Sequence, residues 1–386
     1  HWELLAMHTR MKSENGLDLV EIQETCGPEG GHLTIGGSDT VLPVAHVWTE
    51  IQKLGCPIRV DLRGGGSTNG AHRICGDFEY GTRVDVGMMS RGFGLDEAVP
   101  RKEGFVYDCV VGDMTRSVIQ VDVAWDGITL MFPIGGIGHN CVSRLGGLTM
   151  DQLRWMWSSY TDEELIATGW DPQSLKNNDF DSSTHLWSEL DPSCADEEID
   201  LVGDYINDGS FTSFVNLVMT DHDNGETIDI NRPLPYTEAY GSDALQHQLE
   251  HTDSVGYVGY HYFFEKQDLF WAAPIQGFGG AEFVMPSEDS IRDGSYPLIR
   301  PIFMNVNNDA DSLRDAVSVL EFGYHRPELL EQSGYVAIAG ERKERMLERL
   351  RNGPYVEDYV SGAHSLFQRM LWVAVSAGVF LQHLLE

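Results

Sequence analysis

Two histidines four residues apart, His247 and His251, enclose Gln248-Leu249-Glu250. On a helix, positions i and i+4 share a face, so both imidazoles could ligate one zinc ion, with Glu250 placed as the base of an H-x-x-E-H motif. A further downstream carboxylate would be needed, and the 60 acidic residues of this chain make any such candidate uninformative. The stretch is therefore read as a solvated His/Glu helix face. Asp221-His222-Asp223 is read as a polar loop. No metal, no cofactor and no catalysis are expected, and the chain has neither a G-x-S-x-G elbow nor a Walker loop.

The second group with reactive potential is the cysteines: Cys26, Cys56, Cys75, Cys109, Cys141 and Cys194. None forms a C-x-x-C pair, which argues against a zinc ribbon or a thioredoxin motif. An even, dispersed set fits three disulfides and an oxidising compartment, with buried free thiols as the alternative. Spacing does not choose among the fifteen possible pairings. The chain starts His1-Trp2-Glu3 without an initiator Met, and an upstream segment is expected to have been removed.

These residues must be positioned by a chain of 386 residues, long enough for two lobes of ~150–200 residues each. Its apolar fraction of 42% suffices for a sizeable core. Against the 60 acidic residues stand 26 basic ones, a net charge of -34. That field repels nucleic acid and anionic lipid, so neither is expected as a partner. It also repels a free anion, though salt confines the repulsion to about 8 Å. An anion site in this chain has to rely on short-range donors.

The local pattern is strand, Gly/Ser turn, helix, repeated, which predicts parallel α/β layers. Leu33-Thr34-Ile35 runs into Gly36-Gly37-Ser38, and helical periodicity follows over 43–53. Ile58–Leu62 alternates like a strand and meets Gly64-Gly65-Gly66-Ser67; Val84-Asp85-Val86 is a short strand ending near Ser90. Val121-Asp122-Val123 leads through Trp125-Asp126-Gly127 to a second strand, Ile128–Phe132. Helices are expected over 148–157, 211–219, 311–322 and 341–350, and a Gly-punctuated strand over 255–260. The acidic, Asn/Ser-rich stretch 162–200 reads as a long surface excursion. The prolines of 296–304 argue for a crossing segment or an edge strand.

Eight short motifs, taken in order, resemble the PstS-like phosphate-binding family. Gly37-Ser38-Asp39-Thr40-Val41-Leu42-Pro43 is similar to a first binding loop G-S-S-T-V-x-P, and Gly64–Ser67 to a glycine-rich second loop. Val84–Arg91 resembles D-I-x-x-A-S-R, Val123–Gly127 resembles A-Y-D-G, and Asn207-Asp208-Gly209-Ser210-Phe211 takes the place of D-S-G-T-F. Val255–Tyr260, Pro286-Ser287 and Tyr296–Pro301 match G-Y-x-G-Y, P-S and Y-P-L-S-R-P. The resemblance spans about 33–350.

It implies an α/β fold of the two-lobed type II periplasmic-binding-protein kind, each lobe a mixed sheet flanked by helices. Residues 31–125 with 298–352 would form lobe 1 and 126–297 lobe 2, with an N-terminal extension over 1–30 and an apolar helical tail over 353–386. It implies capture of phosphate or a related oxyanion in the cleft, export from the cytoplasm, and a membrane permease as partner. By position the ligand-binding residues would be Ser38, Asp39, Thr40, Gly66, Ser67, Ser90, Arg91, Asp208, Gly209 and Ser210, with Arg91 as the charged clamp. Cys75 and Cys109 stand where some members carry a disulfide. Backbone N–H groups at helix starts and directed hydroxyls suit such an anion.

Two positions depart from the pattern. Asp39 and Asp208 replace serine donors with groups that only accept. A carboxylate about 4 Å from a phosphate charge costs roughly 4 kcal/mol at an effective dielectric near 20, about a thousandfold in affinity. One of them could accept the proton of hydrogen phosphate. The apolar run 370–381 is shorter than the ~20 residues of a spanning helix, and is expected to dock on this protein, on a partner complex or at a membrane. The competing expectation is a scaffold of the same fold that has lost its ligand and serves as a subunit of a membrane-associated complex.

Overall fold

The computed structural model describes residues 31–50, 56–102, 104–158, 185–205, 209–219, 236–239, 242–308 and 312–352. The N-terminal extension, the apolar tail and Asp208 lie outside them, as do Asp221-His222-Asp223. The strands used below are β1 (His32–Gly37), β2 (Arg59–Arg63), β3 (Val86–Met89), β4 (Ser117–Pro133), β5 (Asp200–Gly203), β6 (Thr237–Glu238), β7 (Ser254–Gly259) and β8 (Ile299–Asn307). The helices are α1 (Leu42–Trp48), α2 (Ser67–Ile74), α3 (Met150–Trp157), α4 (Gly209–Val218), α5 (Ser242–Glu250), α6 (Tyr260–Lys266), α7 (Leu313–Tyr324) and α8 (Gly340–Asn352).

Among the described residues the strands form a mixed sheet whose main path is β2–β1–β3–β8–β4–β7–β5–β6. β1 runs parallel to β2 and β3, and β8 is antiparallel to both β3 and β4. The hub is β4, buried along its length except at half-buried Trp125. Its pairing changes partner midway: β8 is matched up to Gly127, and β7 takes over from Ile128. Each half has its own apolar cluster. Leu33, Ile35, Met88, Val121, Ile302 and Leu320 belong to one, and Ile128, Leu130, Phe132, Trp155, Phe214 and Tyr257 to the other. Trp125 packs against both.

Three expectations are corrected by this topology. Trp125-Asp126-Gly127 does not separate two strands but lies inside the single strand β4. The continuous apolar flanks on both sides bury the whole segment in a sheet covered on both faces. β8 is central, not an edge. Pro301 lies opposite Trp125, beyond the stretch Phe303–Val306 that bonds β3, so its missing N–H removes no rung of that ladder. The later part of 162–200 is not a surface excursion: Trp187 is fully buried, packs against Phe132 in a tilted pair with centroids 6.0 Å apart, and donates to the Asp253 carbonyl.

Disulfides join Cys75 to Cys109 and Cys141 to Cys194. Cys56 is also disulfide-bonded, and Cys26 lies outside the described residues. Among the described residues no helix is long and apolar enough to cross a membrane.

The Cys141–Cys194 bridge spans 53 residues and closes the second half around α3 and Trp187. On a chain-entropy basis such a loop contributes about 4 kcal/mol. The double variant Cys141→Ser/Cys194→Ser is expected to lose ~2–5 kcal/mol of unfolding free energy in urea titrations. An unchanged midpoint would mean that the second half holds itself together without it.

Candidate functional site

Three parallel strands deliver three turns to one end of the sheet. β1 ends at Gly37, whose φ of 137° and whose approach to the Met88 carbonyl (2.2 Å from where a Cβ would sit) exclude any other residue. Ser38 follows and donates its N–H to that same carbonyl at 2.9 Å. β2 ends in the Gly64–Gly66 turn that opens α2 at Ser67, and β3 ends at Ser90. The carboxyl ends of adjacent parallel strands are where α/β proteins place ligands.

The three serines meet. Ser38 Oγ donates to Ser90 Oγ at 3.1 Å, Ser67 Oγ lies 3.0 Å from Ser90 Oγ, and the Ser90 N–H donates to Ser67 Oγ at 3.0 Å. All three are 0% exposed. Thr40 is buried as well, its carbonyl accepting from the Tyr335 hydroxyl.

The start of α4, from the other half of the sheet, faces this cluster. A Cβ on Gly209 would sit 1.7 Å from Ser90 Oγ and 2.5 Å from Ser67 Oγ, so only hydrogen fits at this contact. One turn on, Ser213 Oγ donates to the Ser90 carbonyl at 3.2 Å. Ser210 Oγ accepts from Arg300 Nη2 at 3.0 Å, and Arg300 Nη1 reaches Ser213 Oγ at 3.3 Å. Sequence reasoning quoted Arg300 only as part of a motif and gave it no role. It comes from β8, is 4% exposed, and binds Asp126 of β4 through Nη2 at 2.9 Å and Nε at 3.2 Å. The two are direct cross-strand partners in the β8–β4 register. Asp126 Oδ1 accepts the N–H of Tyr260 at the start of α6, at 3.1 Å. Burial pushes the Asp126 carboxyl up, but the Arg300 guanidinium and His261 outweigh it and hold it below the usual carboxylate range.

Two expected residues are placed otherwise than a clamp or a repulsive charge. Arg91 binds Glu97 with both Nη atoms at 2.7 Å and Thr68 Oγ1 at 2.9 Å, a fork on a carboxylate at the rim of the cluster. Asp39 turns onto the glycine loop: its Oδ2 accepts the N–H groups of Gly65 and Gly66, each at 3.1 Å. It occupies the backbone nest that such a loop offers to an anion. Gly66, Ser67, Ser90, Gly209 and Ser210 converge with Ser38.

The PBP superfamily domain model matches residues 23–322. The phosphate-binding protein PstS of Staphylococcus aureus is 26% identical over 185 residues, which is 47% of this chain and 53% of that protein. The chain thus spans about half the length of the curated relatives it matches. Among solved structures, a possible phosphate binding protein from Planctomyces limnophilus superposes with a TM-score of 0.51 at 21% identity, over 84% of this chain and 98% of that one. A putative phosphate ABC transporter substrate-binding protein from Clostridium perfringens, solved with bound phosphate, gives 0.52 at 17%, over 80% and 100%. These similarities show the fold, the two-lobed binding-protein architecture in which the β4 crossing joins two halves.

Replacing Arg300 by Met is expected to cost ~3–5 kcal/mol near neutral pH, because Asp126 then stays buried without its counter-charge. In the native protein the depressed Asp126 pKa contributes stability that is lost only as pH falls below the ordinary carboxylate range. In Arg300→Met, burial raises that pKa, and Asp126 gains a proton as pH falls. The deficit, measured by urea unfolding, should therefore narrow between about pH 7 and pH 5. A deficit independent of pH would show that lost packing, not charge, is its source.

Proposed function

This chain belongs to the PBP superfamily, and from that premise we propose that it is a solute-binding protein that captures inorganic phosphate or a related oxyanion between its lobes, without catalysis. Residues 31–125 with 298–352 make one lobe and 126–297 the other. The observation that carries the reading is the meeting of Ser38, Ser67 and Ser90 with the Gly209–Ser213 turn of α4 across the junction.

Those serines now bond one another and are sealed from solvent. An anion reaches them only if the lobes part, as hinged binding proteins do. On entry it takes the hydroxyl protons that the serines share, together with N–H groups at the starts of α2 and α4. Ser210 and Ser213 are held on the opposite wall by Arg300, whose own charge is matched by Asp126. Recognition therefore uses neutral, directed donors at close range, which suits a chain whose net charge of -34 repels anions at a distance. The converged hydroxyls favour this reading over that of a scaffold without a ligand. Export to a non-cytoplasmic compartment, and a permease engaged with help from the apolar tail, complete the proposal.

Calorimetry with phosphate, sulfate and arsenate tests it. Phosphate should bind at micromolar concentration or tighter. Ser90→Ala, which removes the hub of the hydroxyl cluster, should weaken it at least about tenfold. Gly209→Ala should do the same by holding the lobes apart. No heat with any of the three oxyanions would end the proposal.

A further inference from the structure

The H-x-x-E-H stretch keeps a solvated face at Glu250 and His251, but its two histidines also converge on a carboxylate from another element. His247 is the sixth residue of α5, and the helix geometry continues one step further, the His251 N–H bonding the His247 carbonyl at 3.0 Å. The two rings stack with centroids 4.2 Å apart and planes 7° from parallel. Both face one carboxylate from another element, Asp200 at the first position of β5. Its Oδ2 lies 2.8 Å from His247 Nε2 and 3.6 Å from His251 Nδ1. One ligand atom from each residue lies within 4.8 Å of the others.

From this convergence we propose that Asp200, His247 and His251 form a binding site for a divalent transition-metal ion, with Zn2+ as the fitting member of the class. Tetrahedral zinc with ligand bonds of about 2.0–2.2 Å needs donor atoms roughly 3.3 Å apart. The observed 2.8 and 3.6 Å from Asp200 to the two imidazoles bracket that spacing, and the stacked rings would have to turn out of parallel to bring both lone pairs onto one ion. Two imidazoles with one carboxylate select zinc and its neighbours over Mg2+ and Ca2+, which require oxygen-rich cages. The frame is rigid. Asp200 pairs with Ser254 in the β5–β7 ladder, and Ser254 Oγ donates to the His251 carbonyl at 2.6 Å, tying the end of α5 to the strand.

The site binds and does not cleave. Glu250, the residue that an H-x-x-E-H protease would use as base, accepts from Gln246 Nε2 at 3.0 Å and is not one of the three converging residues. The His251 side chain is 49% exposed, which leaves the fourth coordination position to water. A bound ion would pin α5 to β5 and so stiffen one edge of the second lobe. The proposal does not depend on whether phosphate binds.

The test is Zn2+ titration by calorimetry of chelator-treated, disulfide-intact protein in excess Mg2+, with thermal unfolding alongside. One tight Zn2+ per chain is expected, together with a rise of several degrees in the unfolding midpoint. His251→Ala and Asp200→Asn should each lose at least about tenfold in affinity and most of that rise. The metal-free midpoint of His251→Ala should stay near that of the parent, since the residue is half exposed. Zn2+ affinity unchanged in these variants, displacement by Mg2+, or no binding at all would overturn the proposal.

Discussion

The structure turns on one cross-strand contact, Arg300 on β8 against Asp126 on β4. A buried ion pair is weak as a source of stability, because two desolvated charges repay only part of what they lost in water. Its value here is directional. Asp126 takes the Nε side of the guanidinium and the start of α6, which leaves the Nη atoms aimed at Ser210 and Ser213. Those hydroxyls belong to α4 in the second half, while Ser90, whose carbonyl receives Ser213, belongs to the first. One pair, at the point where β4 passes from one half to the other, thus sets how the two halves meet at the serine cluster.

The same arrangement bears on how so acidic a chain would hold the proposed oxyanion. A chain this acidic opposes any anion, and a bare arginine clamp would be the obvious remedy. Both arginines near the cluster are instead matched by carboxylates, Arg91 by Glu97 and Arg300 by Asp126. What remains for a ligand is a set of hydroxyls and helix-start amides, dipoles whose effect is strong only within a few ångströms and only where water is excluded. Asp39 remains a negative charge held on the glycine nest, where it takes two of the amide donors an anion would use.

Much of this was legible in the sequence, because glycine and serine turns after short strands have a local cause that a linear reading detects. Ser38, Ser67, Ser90, Gly209 and Ser210 were found that way, through their resemblance to a known loop set. Arg300 was not. Its meaning lies in register, the pairing of residue 300 with residue 126 across a sheet, and no local pattern encodes that. Arg91 shows the same limit: an arginine after a serine turn suits an anion clamp, while its pairing with Glu97, six residues on, is not visible in the linear pattern. The W-D-G segment looked like a break between two strands, yet its apolar flanks run as one strand through it, inside β4. Asp200 carried no signal beside His247 and His251 until the fold brought β5 under α5.

The central claim is that the serine cluster and the α4 turn belong to two bodies that part and close on an oxyanion. The direct measurement is an inter-lobe distance by paired spin labels. They would sit at exposed Phe78 in the first half and exposed Tyr205 in the second, each replaced by cysteine, with and without phosphate. Among the described residues the native cysteines are disulfide-bonded and leave no free thiol to compete for label. The account predicts a longer, broader distance distribution without phosphate that shortens by several ångströms and sharpens when phosphate is added. One distribution, identical in both conditions, would contradict it.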